Sequence, residues 1–399
     1  MSNWNKISDV INEEIEAKSL AGAAVYAVQN GQEKLNQGYG KDRKDAIYRL
    51  YSMTKVATAV VIFKLVEMGK IALDANIGDY IPSWKHHRIF DKNKNIVPAK
   101  EITIQELLNM QSGMPYPGDN QFGPNQTKLF EQEIELEMKE NSNLTTLDIV
   151  TKAGNLPGDF EPGTNWQYGI SADILAGVIE AVTGKRAYEV YQELVFKPLA
   201  MNDTDFRVPT DKLKRVSVLT KRDPNYQYVT EYERPALTTP RTDTMTLPLV
   251  DSVDTVEPYF CAGGGGLYST VQDYAKLMLM LLNKGELNGV RILKPETVEF
   301  MTTPQMTEEM YEKMHQDPVG HGVPGYAYSN LLRILVKPEE ARILGVNGNV
   351  GEFGWDAAGG AFCLADPTTK TVMVYMQQDL SGAEPILRRK IYSALMEEE

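Results

Sequence analysis

Residues 52–68, SMTKVATAVVIFKLVEM, are the stretch that decides the fold. Apolar side chains occur on every turn of this segment, and Gly69 follows it as a helix stop signal. A helix that is apolar nearly all round has no face suited to water. We therefore predict a helix of about four turns that is buried on most sides, and the rest of the chain must cover it.

The same stretch begins with Ser52-Met53-Thr54-Lys55, a serine and a lysine three positions apart. On a helix these two positions lie on one face. The N–H groups and the dipole at a helix N-terminus favour a developing oxyanion, and apolar surroundings lower the pKa of a lysine. A neutral lysine can take the proton of the serine, so the pair is a candidate nucleophile and base.

Taken alone, this tetrapeptide is a weak signal. About one or two such tetrapeptides are expected by chance at average composition, and this chain holds one. A serine that caps the helix and a lysine that extends its charge to solvent would fit the same residues. The buried helix that starts at Ser52 favours the catalytic interpretation.

Strand signals lie towards the two ends of the chain, and helix signals fill the middle. Residues 21–40 predict a hairpin around Asn30-Gly31, and strands are predicted at residues 326–336, 361–364 and 371–377. Predicted helices cover residues 7–18, a short segment after the Thr103/Glu106 capping box, and residues 171–183, 187–195, 271–283 and 385–396.

This order predicts an α+β fold, with an antiparallel sheet built from both chain ends, flanking terminal helices and an inserted, mostly helical region. The length of 399 residues fits two to three domains at about 150 residues each. We expect residues 1–70 and 285–399 to form a discontinuous sheet domain, and residues 71–284 to form the inserted domain.

Composition excludes several classes of function. The net charge of −13 argues against binding to nucleic acid or an anionic membrane. No run reaches 18 apolar residues, so no membrane span is expected. The first twenty residues lack the features of a signal peptide, and Cys261 and Cys363 fit no metal or redox spacing. We expect two buried thiols in a cytoplasmic protein.

Motifs for other kinds of chemistry are missing. The chain has no G-x-S-x-G, H-E-x-x-H or phosphate-loop sequence, and its four histidines leave little room for a metal cluster. The glycine run at residues 263–266 lacks the lysine of a phosphate loop. We interpret that run as structural, and we expect no cofactor and no metal.

Six blocks in order resemble the serine β-lactamase and penicillin-binding-protein-like hydrolases. This group includes class C β-lactamases, related acyltransferases and the family VIII carboxylesterases, which the chain resembles most. The resemblance extends from about residue 20 to residue 380 and implies a β-lactamase/transpeptidase-like fold. The blocks are YSMTKVATAVVIFKLVEMGKIALD, LLNMQSGMPY, EPGTNWQYGISADILAGVIEAVTG, VFKPLAMNDTDF, GGGGLYSTVQDYAKLMLMLLNKGELNG and FGWDAAGGAFCLADP.

The second motif of that family, Tyr-x-Asn, falls on Tyr168-Gly169-Ile170. The resemblance implies that the Tyr168 phenol works with Lys55 to relay a proton to the leaving group. Ile170 stands where true lactamases have asparagine, and an apolar side chain cannot donate a hydrogen bond to a substrate amide. This departure argues against a lactam or peptide substrate.

The third motif, Lys-Thr-Gly or Trp-x-Gly, falls on Trp355-Asp356-Ala357. Trp355 provides no cation for a substrate carboxylate, and it would also fit as a core tryptophan on a strand. Ala357 replaces the usual glycine. By the resemblance, Ile170, Trp355, Asp356 and Ala357 contact the substrate, and the N–H groups of Ser52 and Ala358 form the oxyanion hole.

The sequence thus predicts a serine hydrolase that cleaves small carboxylic esters through a Ser52 acyl-enzyme, with Lys55 and Tyr168 as its proton-transfer groups. The alternatives are a β-lactamase, a D-amino-acid peptidase, an acyltransferase with the same acylation step, and a binding homologue that has lost its activity. The sequence leaves the oligomeric state and the order of proton transfer between Lys55 and Tyr168 open.

Overall fold

A computed structural model describes residues 3–117, 144–222, 229–231, 260–316, 323–343, 345–380 and 384–396, and parts of 129–137. Its helices are α1 Asn3–Glu16, α2 Thr54–Glu67, α3 Ile77–Tyr80, α4 Ile104–Leu108, α5 Thr146–Ala153, α6 Ser171–Thr183, α7 Ala187–Tyr191, α8 Val271–Leu282, α9 Pro295–Met301, α10 Glu308–His315, α11 Pro338–Arg342 and α12 Glu384–Met396.

The strands are β1 Gly22–Gln29, β2 Gln32–Gly40, β3 Tyr48–Arg49, β4 Arg88–Phe90, β5 Ile96–Pro98, β6 Thr220–Arg222, β7 Val229–Glu231, β8 Tyr268–Ser269, β9 Glu286–Leu287, β10 Val290–Arg291, β11 Tyr326–Ser329, β12 Leu332–Leu335, β13 Phe353–Asp356, β14 Phe362–Asp366 and β15 Thr371–Gln377. Short 3₁₀ turns cover Tyr51–Met53, Pro82–Trp84 and Thr210–Arg215, and a π-helical turn covers Gln192–Phe196.

Seven antiparallel strands form the main sheet, in the order β11-β12-β13-β14-β15-β1-β2. The pairing of β1 with β15 joins the two ends of the chain inside one sheet. The β1–β2 hairpin turns at Asn30 and Gly31, which both have positive φ. Two-residue hairpin turns with this twist require positive φ, and asparagine and glycine adopt it readily. The predicted hairpin and the predicted fold class are confirmed.

The terminal helices α1 and α12 pack against each other over one face of this sheet. They bury Ile11 and Ile391 against sheet residues that include Val25 and Tyr375. The predicted terminal helices are confirmed. They give the sheet an apolar layer of its own, separate from the layer that surrounds α2.

Helix α2 lies in the larger core, as its sequence predicts. Every residue from Thr54 to Phe63 is buried. This core also includes sheet residues such as Ala24 and Val374 and residues of α6 such as Leu175. The sheet region and the inserted helical region therefore share one core, and their division at residues 70 and 285 stays a prediction.

The predicted single strand at residues 326–336 is wrong, because the segment is a hairpin. Strands β11 and β12 pair with each other, and the chain turns between them at Asn330 and Leu331, which both have positive φ. Leucine rarely adopts this conformation. Leu331 is nevertheless fully buried in the main core, and this packing offsets the backbone strain.

Several local predictions are confirmed. The Thr103/Glu106 capping box begins α4, and α6 ends before Gly184 in the left-handed conformation. Both cysteines are buried free thiols. The sequence predicts no helix or strand at residues 210–255, and this segment lies largely outside the described residues. Within the described part of the chain, none of the helices combines the length and the apolar character needed to cross a membrane.

The layer under the terminal helices gives a stability prediction. Ile391 is fully buried, whereas Ile343 is 83% exposed. We expect Ile391→Ala to lower the free energy of unfolding by about 2–5 kcal/mol, because it leaves a cavity. The same change at Ile343 should alter it by less than about 0.5 kcal/mol. Urea unfolding measures both variants, and equal effects would contradict the packing described here.

Candidate active site

Ser52 lies in the short turn just before α2, at the edge of a cavity of about 220 Å³. Tyr168, Trp355 and Ala358 line the same cavity. The preceding residue, Tyr51, has φ of 43°. A non-glycine residue in this region costs about 1–3 kcal/mol and persists only when the surrounding packing holds it. The strained turn therefore fixes the direction in which Ser52 points.

Lys55 is fully buried one turn along from Ser52. Its Nζ lies 3.2 Å from Ser52 Oγ, 2.8 Å from the Tyr116 hydroxyl and 2.7 Å from the Gly264 carbonyl oxygen. Burial lowers the pKa of Lys55 to about 7, and the charge of Asp173 opposes this shift. A substantial fraction of Lys55 is therefore neutral near neutral pH.

The glycine run is part of the site as well as a structural element. The Gly264 carbonyl accepts from Lys55, and the Gly264 N–H donates to Asp173 Oδ1 at 2.9 Å. A Cβ atom at Gly264 would lie 2.8 Å from Asp173 Oδ2 and 2.9 Å from the Tyr116 hydroxyl. The purely structural interpretation of residues 263–266 was therefore incomplete.

Asp173 is a fully buried carboxylate near Lys55. Burial raises its pKa, and the positive charge of Lys55 and the Gly264 N–H lower it. It occupies the first turn of α6, five residues after Tyr168. The negative charge of Asp173, which lies in the inserted helical region, thus raises the pKa of Lys55.

The Tyr168 hydroxyl accepts a hydrogen bond from Trp355 Nε1 at 3.3 Å and is hydrogen-bonded to Ser52. Burial raises its pKa far above the ordinary range of a phenol. Its ring lies 4.7 Å from Lys55 Nζ and packs 5.5 Å from the Tyr116 ring. Tyr168 is therefore held in place as a protonated phenol beside the serine.

Trp355 and the three residues after it form one edge of the cavity, at the end of β13. Trp355 is 9% exposed, so it is a core residue and a cavity residue at once. The Ala357 N–H donates to the Ala361 carbonyl within the turn at 2.8 Å. Ala358 follows it at the exposed edge of the cavity.

Asp356 lines the cavity together with two arginines. Its Oδ2 accepts hydrogen bonds from Arg333 of β12 and Arg388 of α12. Burial would raise the pKa of Asp356, but the two guanidinium groups hold it below its ordinary value. Sequence reasoning missed both arginines, because no motif links residues so far apart along the chain.

The structure brings together Ser52, Lys55, Tyr168 and residues 355–358, but it does not bring Ile170 to the cavity. Ile170 is fully buried in the main core, and its N–H donates to the Met114 carbonyl. Its side chain therefore faces the core and not a substrate. Sequence reasoning also missed Tyr116, although it ends the block LLNMQSGMPY, which offered the only signal for it.

The sequence profile of the beta-lactamase family matches residues 7–395. Protein Rv1367c of Mycobacterium tuberculosis (strain ATCC 25618 / H37Rv) is 30% identical over 92% of this chain and 88% of its own length. Esterase EstB of Burkholderia gladioli is 26% identical over 50% of this chain and 51% of the esterase.

Among solved structures, EstCE1, described as a hydrolase with promiscuous acyltransferase activity, matches with a TM-score of 0.76. It is 18% identical to this chain, and the match covers 98% of each chain. A likeness at this level of identity shows that the two proteins share a fold.

The hydrogen bond between Tyr116 and Lys55 gives a prediction, and a second buried tyrosine provides the control variant. The Tyr39 hydroxyl makes a 2.8 Å hydrogen bond with Ser8 in the layer under the terminal helices, away from the cavity lining. Removal of one partner of a buried hydrogen bond costs about 1–3 kcal/mol. We expect Tyr116→Phe to lower kcat/KM for an ester about tenfold or more, and Tyr39→Phe to change it less than threefold. Steady-state kinetics measures both variants, and equal effects would mean that the Tyr116 hydroxyl has no role in the site.

Proposed function

This chain belongs to the beta-lactamase family, and we propose that it is a serine hydrolase that cleaves carboxylic esters through an acyl-enzyme on Ser52. In this reaction Ser52 Oγ attacks the carbonyl carbon of the ester, and the alcohol leaves. Water then attacks the acyl-enzyme and releases the acid. The steps use side chains and backbone groups of this chain, so the proposal includes no cofactor and no metal.

The arrangement around Lys55 is the observation that carries the proposal. A neutral lysine has two N–H donors and one lone pair. The Gly264 carbonyl and the Tyr116 hydroxyl can take the two donors, so the lone pair is directed at the third neighbour, Ser52 Oγ. This is the geometry that a general base for the serine proton needs.

Tyr168 supports the second proton transfer. Because its pKa is raised, the phenol keeps its proton and can give it to the leaving alkoxide while it takes the serine proton back from Lys55. The opposite directions of the two pKa shifts favour Lys55 as the base and Tyr168 as the relay.

The oxyanion of the tetrahedral intermediate needs two N–H donors near Ser52. The Ala357 N–H is engaged in the turn to Ala361, which leaves the next residue, Ala358, as the partner of the Ser52 N–H. Loss of one such donor typically lowers the rate about 10²–10³-fold. Alanine suits the position, because the backbone provides the donor.

An ester substrate is favoured over a lactam or a peptide. The place of the cationic third motif is taken by Trp355, whose N–H is directed at Tyr168, and esterase EstB is among the relatives. The acylation step would be the same for transfer to a second alcohol, so acyl transfer stays the alternative for the second half of the reaction. The contact of Ser52 with Lys55 and Tyr168 argues against an inactive homologue.

One plate assay tests the proposal. We expect hydrolysis of p-nitrophenyl butyrate, little turnover of a chromogenic cephalosporin, and no ester hydrolysis by Ser52→Ala. Tyr168→Phe should lower the rate about 10²-fold or more. A serine-reactive phosphonate should add its mass to the wild type and not to Ser52→Ala. Ester hydrolysis that survives Ser52→Ala would refute the assignment of the nucleophile.

The pH dependence tests the base. Because neutral Lys55 is the active form, kcat/KM should rise with pH through about 7. The negative charge of Asp173 raises the pKa of Lys55, so Asp173→Asn should move this rising limb to lower pH.

Asp273 occupies the same first-turn position in α8 that Asp173 occupies in α6, but its carboxylate pairs with Lys276. Asp273→Asn should therefore leave the rising limb where it is. A limb that stays in place in Asp173→Asn, or that shifts equally in both variants, would mean that Lys55 is not the group that titrates.

A further inference from the structure

Three charged residues line the cavity beside the catalytic groups, and the ester cleavage proposed above uses none of them. They are Arg333, Asp356 and Arg388, and both arginines donate to one oxygen of Asp356. The side chains of the three are 5%, 23% and 15% exposed, respectively. Two cations therefore meet one carboxylate at the wall of the substrate cavity.

Neighbouring groups hold Arg333 in place. Arg333 also donates to the Tyr392 hydroxyl at 3.1 Å, and its guanidinium lies 5.1 Å from the centre of the Tyr326 ring. Arg388 precedes Tyr392 by one turn of α12, so the two side chains lie on the same face of that helix. Arg333 is thus fixed in position, and Asp356 is the anion that it shares with Arg388.

We propose that Asp356 determines the charge of the substrates that this site accepts, by pairing with both Arg333 and Arg388 so that uncharged acyl groups are preferred over acyl groups with a free carboxylate. The inference rests on the proposed ester cleavage and adds a substrate class to it. Asp356 is here a specificity residue and takes no part in proton transfer.

The physical reason lies in what each kind of acyl group meets in the cavity. A carboxylate that approaches the arginines also approaches Asp356, and like charges repel strongly in a partly buried site. It would compete with Asp356 for the Nη1 donors of both arginines. An uncharged chain instead meets Met314, Val323 and Tyr328, which line the same cavity. Neutral acyl groups lose little when they leave water, whereas a second anion would lose its hydration beside the negative charge of Asp356.

The test compares two p-nitrophenyl esters with five-carbon acyl chains, the pentanoate and the glutarate monoester. We expect the wild type to have a kcat/KM for the pentanoate at least tenfold above that for the glutarate. Asp356→Asn should lower this ratio at least tenfold, mainly through KM for the glutarate. Asp356→Glu, which keeps the charge, should restore the wild-type preference.

Asp356→Asn leaves two arginines without their shared anion and can destabilise the fold. The double variant Asp356→Asn/Arg333→Met carries the test in that case, because it keeps the formal charge of the group and leaves Arg388 without the Asp356 carboxylate. It should show the same fall in the ratio. A fall in the ratio there assigns the effect to the pairing and not to the net charge.

A binding measurement separates failure of this inference from failure of the proposed function. In the Ser52→Ala background, calorimetry with monomethyl glutarate should show binding at least tenfold tighter once Asp356 is replaced by Asn, while methyl pentanoate should bind equally to both proteins. That result supports the role of Asp356 even if no ester is hydrolysed. A wild type that prefers the glutarate, or ratios and affinities that do not change with Asp356, would overturn the inference.

Discussion

A lysine buried inside an apolar helix is the constraint on which the site depends. Lys55 has no access to water, so the protein must supply a partner for each position around its Nζ. Ser52, Tyr116 and the Gly264 carbonyl do so. The glycine segment has to approach α2 closely to provide that carbonyl, and Thr58 donates to the neighbouring Gly263 carbonyl at 2.6 Å. The need to satisfy one buried amine thus fixes how the helix and the glycine segment pack.

The cavity forms where this buried helix meets the main sheet. The turn before α2 presents Ser52, the segment before α6 presents Tyr168, and β13 presents Trp355. The hydrogen bond from Trp355 to Tyr168 connects the sheet to the inserted helices across the site. Helix α12 packs on the same sheet and contributes Arg388 to the cavity.

Local signals predicted local structure well. The Asn30-Gly31 hairpin, the Thr103 capping box and the end of α6 at Gly184 were predicted, because each depends on conformational preferences of neighbouring residues. The turn at Asn330-Leu331 was missed for the opposite reason. Leucine has no local preference for positive φ, and the burial of Leu331 in the core stabilises a turn that the dipeptide does not signal.

The sequence by itself determined the buried helix and the pairing of Ser52 with Lys55, because the helical repeat places residues three apart on one face. Its ordered blocks pointed to Tyr168 and to residues 355–358. The tertiary structure decided which other groups act on that pair. Lys55 interacts with Tyr116, Asp173 and Gly264. Asp356 accepts hydrogen bonds from Arg333 and Arg388. These interactions join distant parts of the chain. Such contacts follow from packing and charge pairing in three dimensions, which no spacing along the sequence encodes.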